Sequence, residues 1–363
     1  ERSSLVVELS REGFPSLDRE TAYLDRASMS LKPEQVIEKV NEYYREYPAC
    51  SGRSGHSLSR KADSELEKAR KKVANFIDAK PGELMFTSGT TESINTVARG
   101  LDAEKVFLTE KEHNSNRVPW QRLGYETVRM DGIDTELLSE ELNERDIVSV
   151  LHASNLDGEV LDVKEACRIA AEKDAYSLID AAQSIPHRTF SVKEIEPDFV
   201  AFSGHKMLGP TGTGALYASE KVQQEMEPMK YGGGAVEETS YDGSDLKEFP
   251  HGFEPGLKNI SGLIGFGAAA DYLEEIGMDK VQSHEERLTE KLVEGLEELD
   301  LKVLNKGPGI VSVVTESVTH NEAAEILDRR GVKVRSGQHC VHPWFEDKGF
   351  DGTLRVSLHL YND

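Results

Sequence analysis

The chain has 363 residues, of which 37% are hydrophobic and 30% charged, and its formal net charge is −23 at pH 7. These values are typical of a water-soluble globular protein, and the negative charge argues against nucleic acid as a partner, because phosphate backbones are bound by basic surfaces. No apolar run approaches the roughly 18 residues of a membrane span, so no membrane association is expected.

Strand-like and helical segments alternate through the first two thirds of the chain. A helix is predicted after 87–92, because Ile94, Val97, Ala98 and Leu101 follow the i, i+3, i+4, i+7 spacing. A second helix is predicted over 163–173. Short apolar runs predict buried strands at 147–151, 176–179, 199–202 and 214–217. This alternation predicts an α/β fold with a mostly parallel sheet, in which ligands bind beyond the carboxyl ends of the strands.

The pattern changes after 254–256. Residues 261–299 are rich in glutamate and predict helices. A smaller α+β domain is predicted beyond them, with a helix at 321–330 and strands at 303–304, 310–314 and 332–334. Just before the change, the glycine-rich stretch 232–252 predicts a long loop or hairpin.

Three cysteines, Cys50, Cys167 and Cys340, are too few and too scattered for a disulfide framework. No signal-peptide pattern opens the sequence, and we therefore expect a reducing, cytoplasmic setting. Cys167 falls on the apolar face of the predicted helix 163–173, which indicates a core position.

Three polar segments lie where such a sheet would bind a ligand. The segment 87–92 places small hydroxyl residues and a glycine at a helix start, which suits either an anion site or ordinary N-capping. Asp180 ends a predicted strand, where it is either a helix cap or the partner of a protonated ring nitrogen. Lys206 follows strand 199–202, where desolvation would make its amine nucleophilic, although a solvated surface lysine fits the pattern too. Their order in one domain favours a pyridoxal phosphate site.

The chain resembles the class V, fold type I pyridoxal-phosphate enzymes, and among them the group II (Suf-type) cysteine desulfurases and selenocysteine lyases. The segments that carry the resemblance are GTTESIN (89–95), EHNSN (112–116), DAAQ (180–183), SGHK (203–206), RSGQHC (335–340) and RVSLHLYN (355–362). The resemblance implies a large cofactor-binding domain, residues 28–258, with a mostly parallel seven-stranded sheet. Residues 1–27 and 259–363 would form the smaller α+β domain.

The resemblance also implies a role for each site residue. Lys206 would bind the cofactor covalently, Asp180 would pair with its ring nitrogen, and His113 would stack on the ring and assist proton transfer. For His113 a surface position, and for Gln183 a core position, are the alternatives. Asn155 and Gln183 would contact the ring hydroxyl. The phosphate would be bound by Thr90, Thr91, Ser203 and His205. The substrate would be bound by Arg355, Asn155 and Arg335.

Cys340 indicates which reaction to expect. His339, His342 and Arg335 lie close to it in sequence, and positive neighbours favour the thiolate. A metal site and an incidental loop cysteine are the alternatives; no metal is expected, because no second ligand cluster is present. The resemblance implies a homodimeric cysteine desulfurase that converts L-cysteine to L-alanine. A persulfide on Cys340 would pass to a protein acceptor for iron–sulfur cluster assembly.

Three positions depart from the family's pattern. Leu257 stands where a threonine usually reaches the phosphate of the neighbouring subunit, so weaker cofactor binding is expected. Gly52 replaces the first histidine of an N-terminal motif, 52–56, and Asn114 replaces a second histidine, which points to an altered substrate or acceptor. Selenocysteine lyase, aminotransferase and epimerase activities therefore stay open, as does a non-catalytic sulfur-relay scaffold.

Overall fold

The secondary structure follows the alternation that the apolar pattern predicts. The structure is a computed structural model that describes residues 11–17, 20–52 and 54–363. Arg53, in the N-terminal motif 52–56, and residues 1–10 and 18–19 of the predicted small domain lie outside the described residues.

The elements up to residue 218 are β1 (Ala22–Tyr23), α1 (Glu34–Glu46), α2 (Ser57–Asn75), β2 (Leu84–Thr87), α3 (Thr90–Gly100), β3 (Lys105–Thr109), α4 (Asn114–Leu123), β4 (Glu126–Met130), α5 (Thr135–Glu141), β5 (Ile147–Leu151), α6 (Val163–Glu172), β6 (Tyr176–Asp180), α7 (Val192–Ile195), β7 (Phe199–Ser203) and β8 (Gly214–Ala218). The later elements are β9 (Val236–Thr239), β10 (Ser244–Leu246), α8 (Ile260–Ile276), α9 (Met278–Glu297), β11 (Lys302–Leu304), β12 (Ile310–Val314), α10 (His320–Asp328), β13 (Val332–Lys333), β14 (Arg335–Gly337), α11 (His342–Lys348) and β15 (Thr353–Ser357).

A seven-stranded sheet with the order β2-β8-β7-β6-β5-β3-β4 forms the centre of the larger part of the molecule. All of its strands run parallel except β8, which pairs antiparallel with both β2 and β7. Strands β5, β7 and β8 are buried along their whole length. This burial explains why they are continuous apolar runs rather than alternating ones. The predicted fold class is confirmed.

Helices cover both faces of this sheet and divide its side chains between two hydrophobic clusters. In β7, Val200 and Phe202 pack into the first cluster, whereas Phe199 and Ala201 pack into the second. Successive side chains of a strand point to opposite faces, so each apolar run supplies both layers. Cys167 is 2% exposed within the first cluster, as its helical position predicts.

The C-terminal part is built on a four-stranded antiparallel sheet with the order β11-β12-β15-β14. Strand β1, from the other end of the chain, pairs with β13. Helix α8 packs through residues such as Phe266 and Leu273 into the first cluster of the large sheet. The predicted boundary at 258/259 stays a prediction.

Residues 232–252 contain the antiparallel hairpin β9–β10, as their composition predicts. Among the helices of the described residues, none is both long and apolar enough to cross a membrane.

The loop after β5 fastens the two parts of the molecule together. The backbones of Gly158 and Gly307 cross so closely that a Cβ on Gly158 would lie 2.7 Å from the carbonyl oxygen of Gly307. Beside this crossing, Lys111 lies 2.5 Å from Asp157 and 2.5 Å from Glu159. The small residues and buried ion pairs hold the loop in one place, and this loop also carries a predicted site residue, Asn155.

Candidate active site

One cavity of about 200 Å³ collects the site residues predicted from the sequence. It opens at the carboxyl ends of β3, β5, β6 and β7, and the C-terminal sheet closes its other side. The predicted residues that line it are Thr90, Thr91, His113, Asn155, Asp180, Gln183, Ser203, His205, Lys206, Arg335, Cys340 and Arg355.

The start of α3 forms a cradle at one end of the cavity. Ser203 Oγ lies 2.8 Å from the Thr90 amide and 2.7 Å from Thr90 Oγ1, so β7 and α3 are tied together there. Gly89 has a φ of 148°, and a Cβ on it would come within 3.2 Å of Ser203 Oγ. The next two helical N–H groups, of Thr91 and Glu92, find no acceptor in the described part of the chain. These free donors at a helix start suit an anion.

Asp180 is the last residue of β6, and Lys206 lies three residues beyond the neighbouring strand β7. One carboxylate oxygen of Asp180 accepts from the Ala182 amide at 3.0 Å, while the other makes no hydrogen bond to a described residue. Burial raises the pKa of Asp180, an effect that the charge of Lys206 opposes. Burial also lowers the pKa of Lys206 to about 8. A buried carboxylate with a free oxygen is suited to a cationic ring nitrogen, and a partly neutral amine is suited to nucleophilic attack.

We expect Lys206 in the cofactor-free protein to react with trinitrobenzenesulfonate with a pH midpoint near 8. The reason is that burial disfavours its ammonium form. Peptide mass spectrometry over a pH series measures this, and the urea-unfolded chain, with a midpoint of about 10.4, is the control. Between about pH 8 and about pH 10.4, Lys206 is more often protonated in the unfolded chain than in the folded protein. Its contribution to the free energy of unfolding therefore increases with pH in this range. Equal midpoints in the two states would contradict the expectation.

His113 caps the N terminus of α4. Its Nδ1 accepts from the Ser115 amide at 3.1 Å, so the neutral ring carries its proton on Nε2. Burial lowers the pKa of His113 to about 3, and the charge of Lys206 adds to the effect. The ring is therefore uncharged at neutral pH, which suits a flat stacking surface that also has an N–H donor.

Cys340 reaches the cavity from the loop between β14 and α11. His339 and Cys340 have φ values of 49° and 61°, and their carbonyls are held by other residues of the site. The side-chain Nδ2 of Asn155 donates to the His339 carbonyl at 2.7 Å. The backbone N–H of Asn114 donates to the Cys340 carbonyl at 2.8 Å. The thiol-bearing residue is thus tied to the turn that carries His113.

The other two cysteines are differently placed. Burial raises the pKa of Cys167 to about 12, which keeps that thiol protonated. Cys50 is half-buried and does not line the cavity.

Two arginines converge on one serine at the side of the cavity that the C-terminal sheet closes. Arg355 Nη2 and Arg335 Nη1 donate to Ser28 Oγ at 2.9 and 2.7 Å. Arg355 also lies 3.3 Å from Asp25, and Nη1 of Arg355 donates to the Asn155 carbonyl at 2.9 Å. Burial lowers the pKa of Arg355 to about 10. Within the described chain, its Nε has no hydrogen-bond partner. These arginines give the site a positive end, which fits a carboxylate.

Sequence reasoning missed several residues that line the cavity, namely Ala27, Ser28, Ser115, Leu151, Ala153, Ala182 and His339. Ser28 matters most, because it joins Arg335 and Arg355. None of the sequence motifs that carry the family resemblance includes it.

The residues present fit pyridoxal phosphate. The free N–H groups at the start of α3 suit its phosphate, and the free oxygen of Asp180 suits its ring nitrogen. The amine of Lys206 forms no hydrogen bond or ion pair with a described residue, which leaves it available to an aldehyde carbon. The cavity thus offers a complementary group to the phosphate, the ring nitrogen and the aldehyde of the cofactor.

The fold and this cavity define a pyridoxal-phosphate enzyme, and the comparisons with known proteins agree. Residues 22–363 match the family described as Aminotransferase class-V. The chain therefore belongs to the class V aminotransferase family.

Cysteine desulfurases are among its relatives in this family. A probable cysteine desulfurase of Methanothermobacter thermautotrophicus is 41% identical, over 97% of this chain and 93% of the relative. A cysteine desulfurase of Haloferax volcanii is 38% identical, over 98% of this chain and 93% of the relative. The solved apo structure of the cysteine desulfurase from Thermococcus onnurineus NA1 is 38% identical, covers 97% of this chain and 93% of its own, and superposes with a TM-score of 0.93.

Proposed function

We propose that this protein is a pyridoxal-phosphate-dependent cysteine desulfurase that converts L-cysteine to L-alanine and retains the sulfur as a persulfide on Cys340. The observation that carries the proposal is the presence of Cys340 in the same cavity as Lys206, Asp180 and Arg355. A transamination needs the last three residues but no thiol. The curated relatives and the solved apo structure, all cysteine desulfurases, support the same activity.

The test is to incubate the holoenzyme with L-cysteine and a reducing thiol and to quantify alanine and sulfide. Equal amounts of both are expected. A parallel incubation with amino acid and 2-oxo acid pairs separates the aminotransferases, and L-selenocysteine measures the selenium preference. Formation of a new amino acid without alanine or sulfide would overturn the proposal.

The residues divide the reaction between them. Pyridoxal phosphate, when bound, supplies an electron sink that stabilises negative charge at the substrate's α-carbon. Asp180 keeps a proton on the ring nitrogen, and Lys206, once neutral, takes the α-proton from the substrate. Arg355 holds the substrate carboxylate. The Cys340 thiolate forms a bond to the substrate sulfur while the substrate's C–S bond breaks, which leaves a persulfide on Cys340. The β-carbon then gains a proton and Lys206 returns the α-proton, which gives alanine.

Arg355→Lys is expected to raise KM for L-cysteine about 10- to 100-fold with a smaller change in kcat. Lysine keeps the charge but not the planar fork, and a hydrogen bond to a charged group contributes about 1.5–3 kcal/mol. Steady-state kinetics measure the effect. Arg168→Lys, on the exposed face of α6, is the matched control and should match the wild type. An unchanged KM in the Arg355 variant would show that the substrate carboxylate is bound elsewhere.

The protein's partners follow from this chemistry. A persulfide on Cys340 requires a nucleophilic acceptor, and we expect a protein thiol that serves iron–sulfur cluster assembly in the cytoplasm.

We also expect a homodimer, with the exposed Leu257 facing the second subunit. Sedimentation of the holoenzyme tests the dimer, and a monomer at micromolar concentration would refute it.

A further inference from the structure

A buried polar cluster lies directly behind the cavity, and the proposed reaction assigns it no role. It consists of Arg26, His187, Glu285 and His359, which are exposed by 1%, 6%, 1% and 0%. Both histidines approach the same oxygen, Glu285 Oε1, through Nδ1, at 2.9 and 3.0 Å. His187, from the segment between β6 and α7, meets Glu285 and His359 of the C-terminal part in this cluster, which we call the Arg26 cluster.

The Arg26 cluster has the spacing of a metal site but not its charge. Nη1 of Arg26 lies 2.6 Å from His187 Nε2. A guanidinium can only donate, so His187 Nε2 accepts and its Nδ1 carries the proton that is donated to Glu285. Burial lowers the pKa of His187 to about 3, so the ring is neutral. Nη2 of Arg26 lies 3.9 Å from Glu285 Oε2 and places a positive charge beside that carboxylate, among three residues spaced like metal ligands.

Arg26 is held in place by the C-terminal part of the molecule. Its Nε donates to the Leu358 carbonyl at 2.6 Å. Gly309 has a φ of 78°, and a Cβ on it would lie 2.4 Å from Arg26 Nη2. Only a glycine at this position leaves room for the guanidinium.

From this fixed position Arg26 reaches a residue of the cavity. Its Nη1 donates to Gln183 Oε1 at 2.8 Å, and Gln183 Nε2 donates to the Ala27 carbonyl at 2.8 Å. A flipped amide would place its NH₂ group against the guanidinium and lose both bonds. The oxygen of Gln183 is therefore taken by Arg26, and one N–H of its amide remains for the cavity that Gln183 lines.

We propose that Arg26 is a positioning residue that fixes the amide of Gln183 so that it presents an N–H donor to the ring oxygen of pyridoxal phosphate. This inference rests on the cofactor of the proposed function. A donor stabilises the ionised ring oxygen, and its loss should raise the pH at which the visible absorbance band of the bound cofactor changes, by about one unit.

Arg26→Lys tests the role. Lysine keeps a positive charge beside Glu285, but its single amine cannot serve Gln183, His187 and Leu358 together. The matched control is Arg70→Lys, because Arg70 is also 1% exposed and pairs with Glu254 at 2.7 Å, outside the cavity. Both variants should lose thermal stability, but only Arg26→Lys should shift the pH midpoint of the band. An unshifted midpoint in cofactor-bound Arg26→Lys would overturn the proposal.

Gln183→Glu gives a second test, which can still refute the inference if Arg26→Lys does not fold. Its carboxylate still accepts from Arg26 but has no N–H for the ring oxygen, so the midpoint should rise here too. A midpoint equal to that of the wild type would refute the inference. The readout is independent of turnover: a wild type that binds the cofactor but makes no alanine refutes the proposed function and leaves this comparison valid.

Discussion

Cys340→Ser is expected to lower alanine formation from L-cysteine by about 10³-fold or more while leaving the visible absorbance of the bound cofactor in place. The side chain lines the cavity but lies in a separate loop from the residues suited to the phosphate and the ring nitrogen. A serine hydroxyl is protonated at neutral pH and is a far weaker nucleophile toward sulfur than a thiolate. Alanine release measured by chromatography, together with the absorption spectrum, checks both parts of the expectation.

Cys50→Ser and Cys167→Ser are the matched controls. Cys50 lies outside the cavity, and Cys167 is enclosed in the core of the large sheet. Both variants should retain wild-type turnover if they fold. If Cys340→Ser retained full turnover, the assignment of this residue would be wrong.

Lys206→Ala is expected to abolish turnover with every amino acid tested, whereas Cys340→Ser abolishes only the removal of sulfur. Loss of a general base alone reduces a rate by about 10²–10⁴-fold, and loss of the covalent anchor adds to this. Borohydride reduction followed by peptide mass spectrometry should place the cofactor on 203–206 in the wild type and nowhere in the variant.

The control for Lys206→Ala uses a lysine that does not line the cavity. Lys230 pairs with Glu92 on the surface side of α3, at 2.5 Å, and Lys230→Ala should retain the cofactor and most of the activity. Cofactor attached to a different lysine in wild-type protein would contradict the role given to Lys206.

The central sheet could be predicted because its strands are buried on both faces. The apolar runs at 147–151 and 199–202 coincide with β5 and β7, since a strand covered on both sides contains almost no polar residues. Asp180 and Lys206 could be located for the same reason, because Asp180 ends such a strand and Lys206 lies three residues beyond another. The family, the fold class and the cofactor followed from the motifs around them.

The C-terminal side of the cavity could not be derived in this way. Ser28 meets Arg355 across 327 positions of the chain, and Arg26 meets Leu358 across 332. No local periodicity encodes such contacts, because they form only when β1 and β15 have been brought together by the rest of the fold. The arginines were therefore assigned from the family resemblance, and the Arg26 cluster was not foreseen.

The loop at His339 and Cys340 has a consequence for stability. Both residues adopt the left-handed backbone conformation, which for residues other than glycine costs roughly 1–2 kcal/mol each. The hydrogen bonds from Asn155 and Asn114 to their carbonyls offset this strain. Glycine at position 340 would relieve the strain but remove the thiol that we propose as the nucleophile. With cysteine at position 340 the folded state is therefore less stable than it would be with glycine, and the thiol explains why cysteine is present.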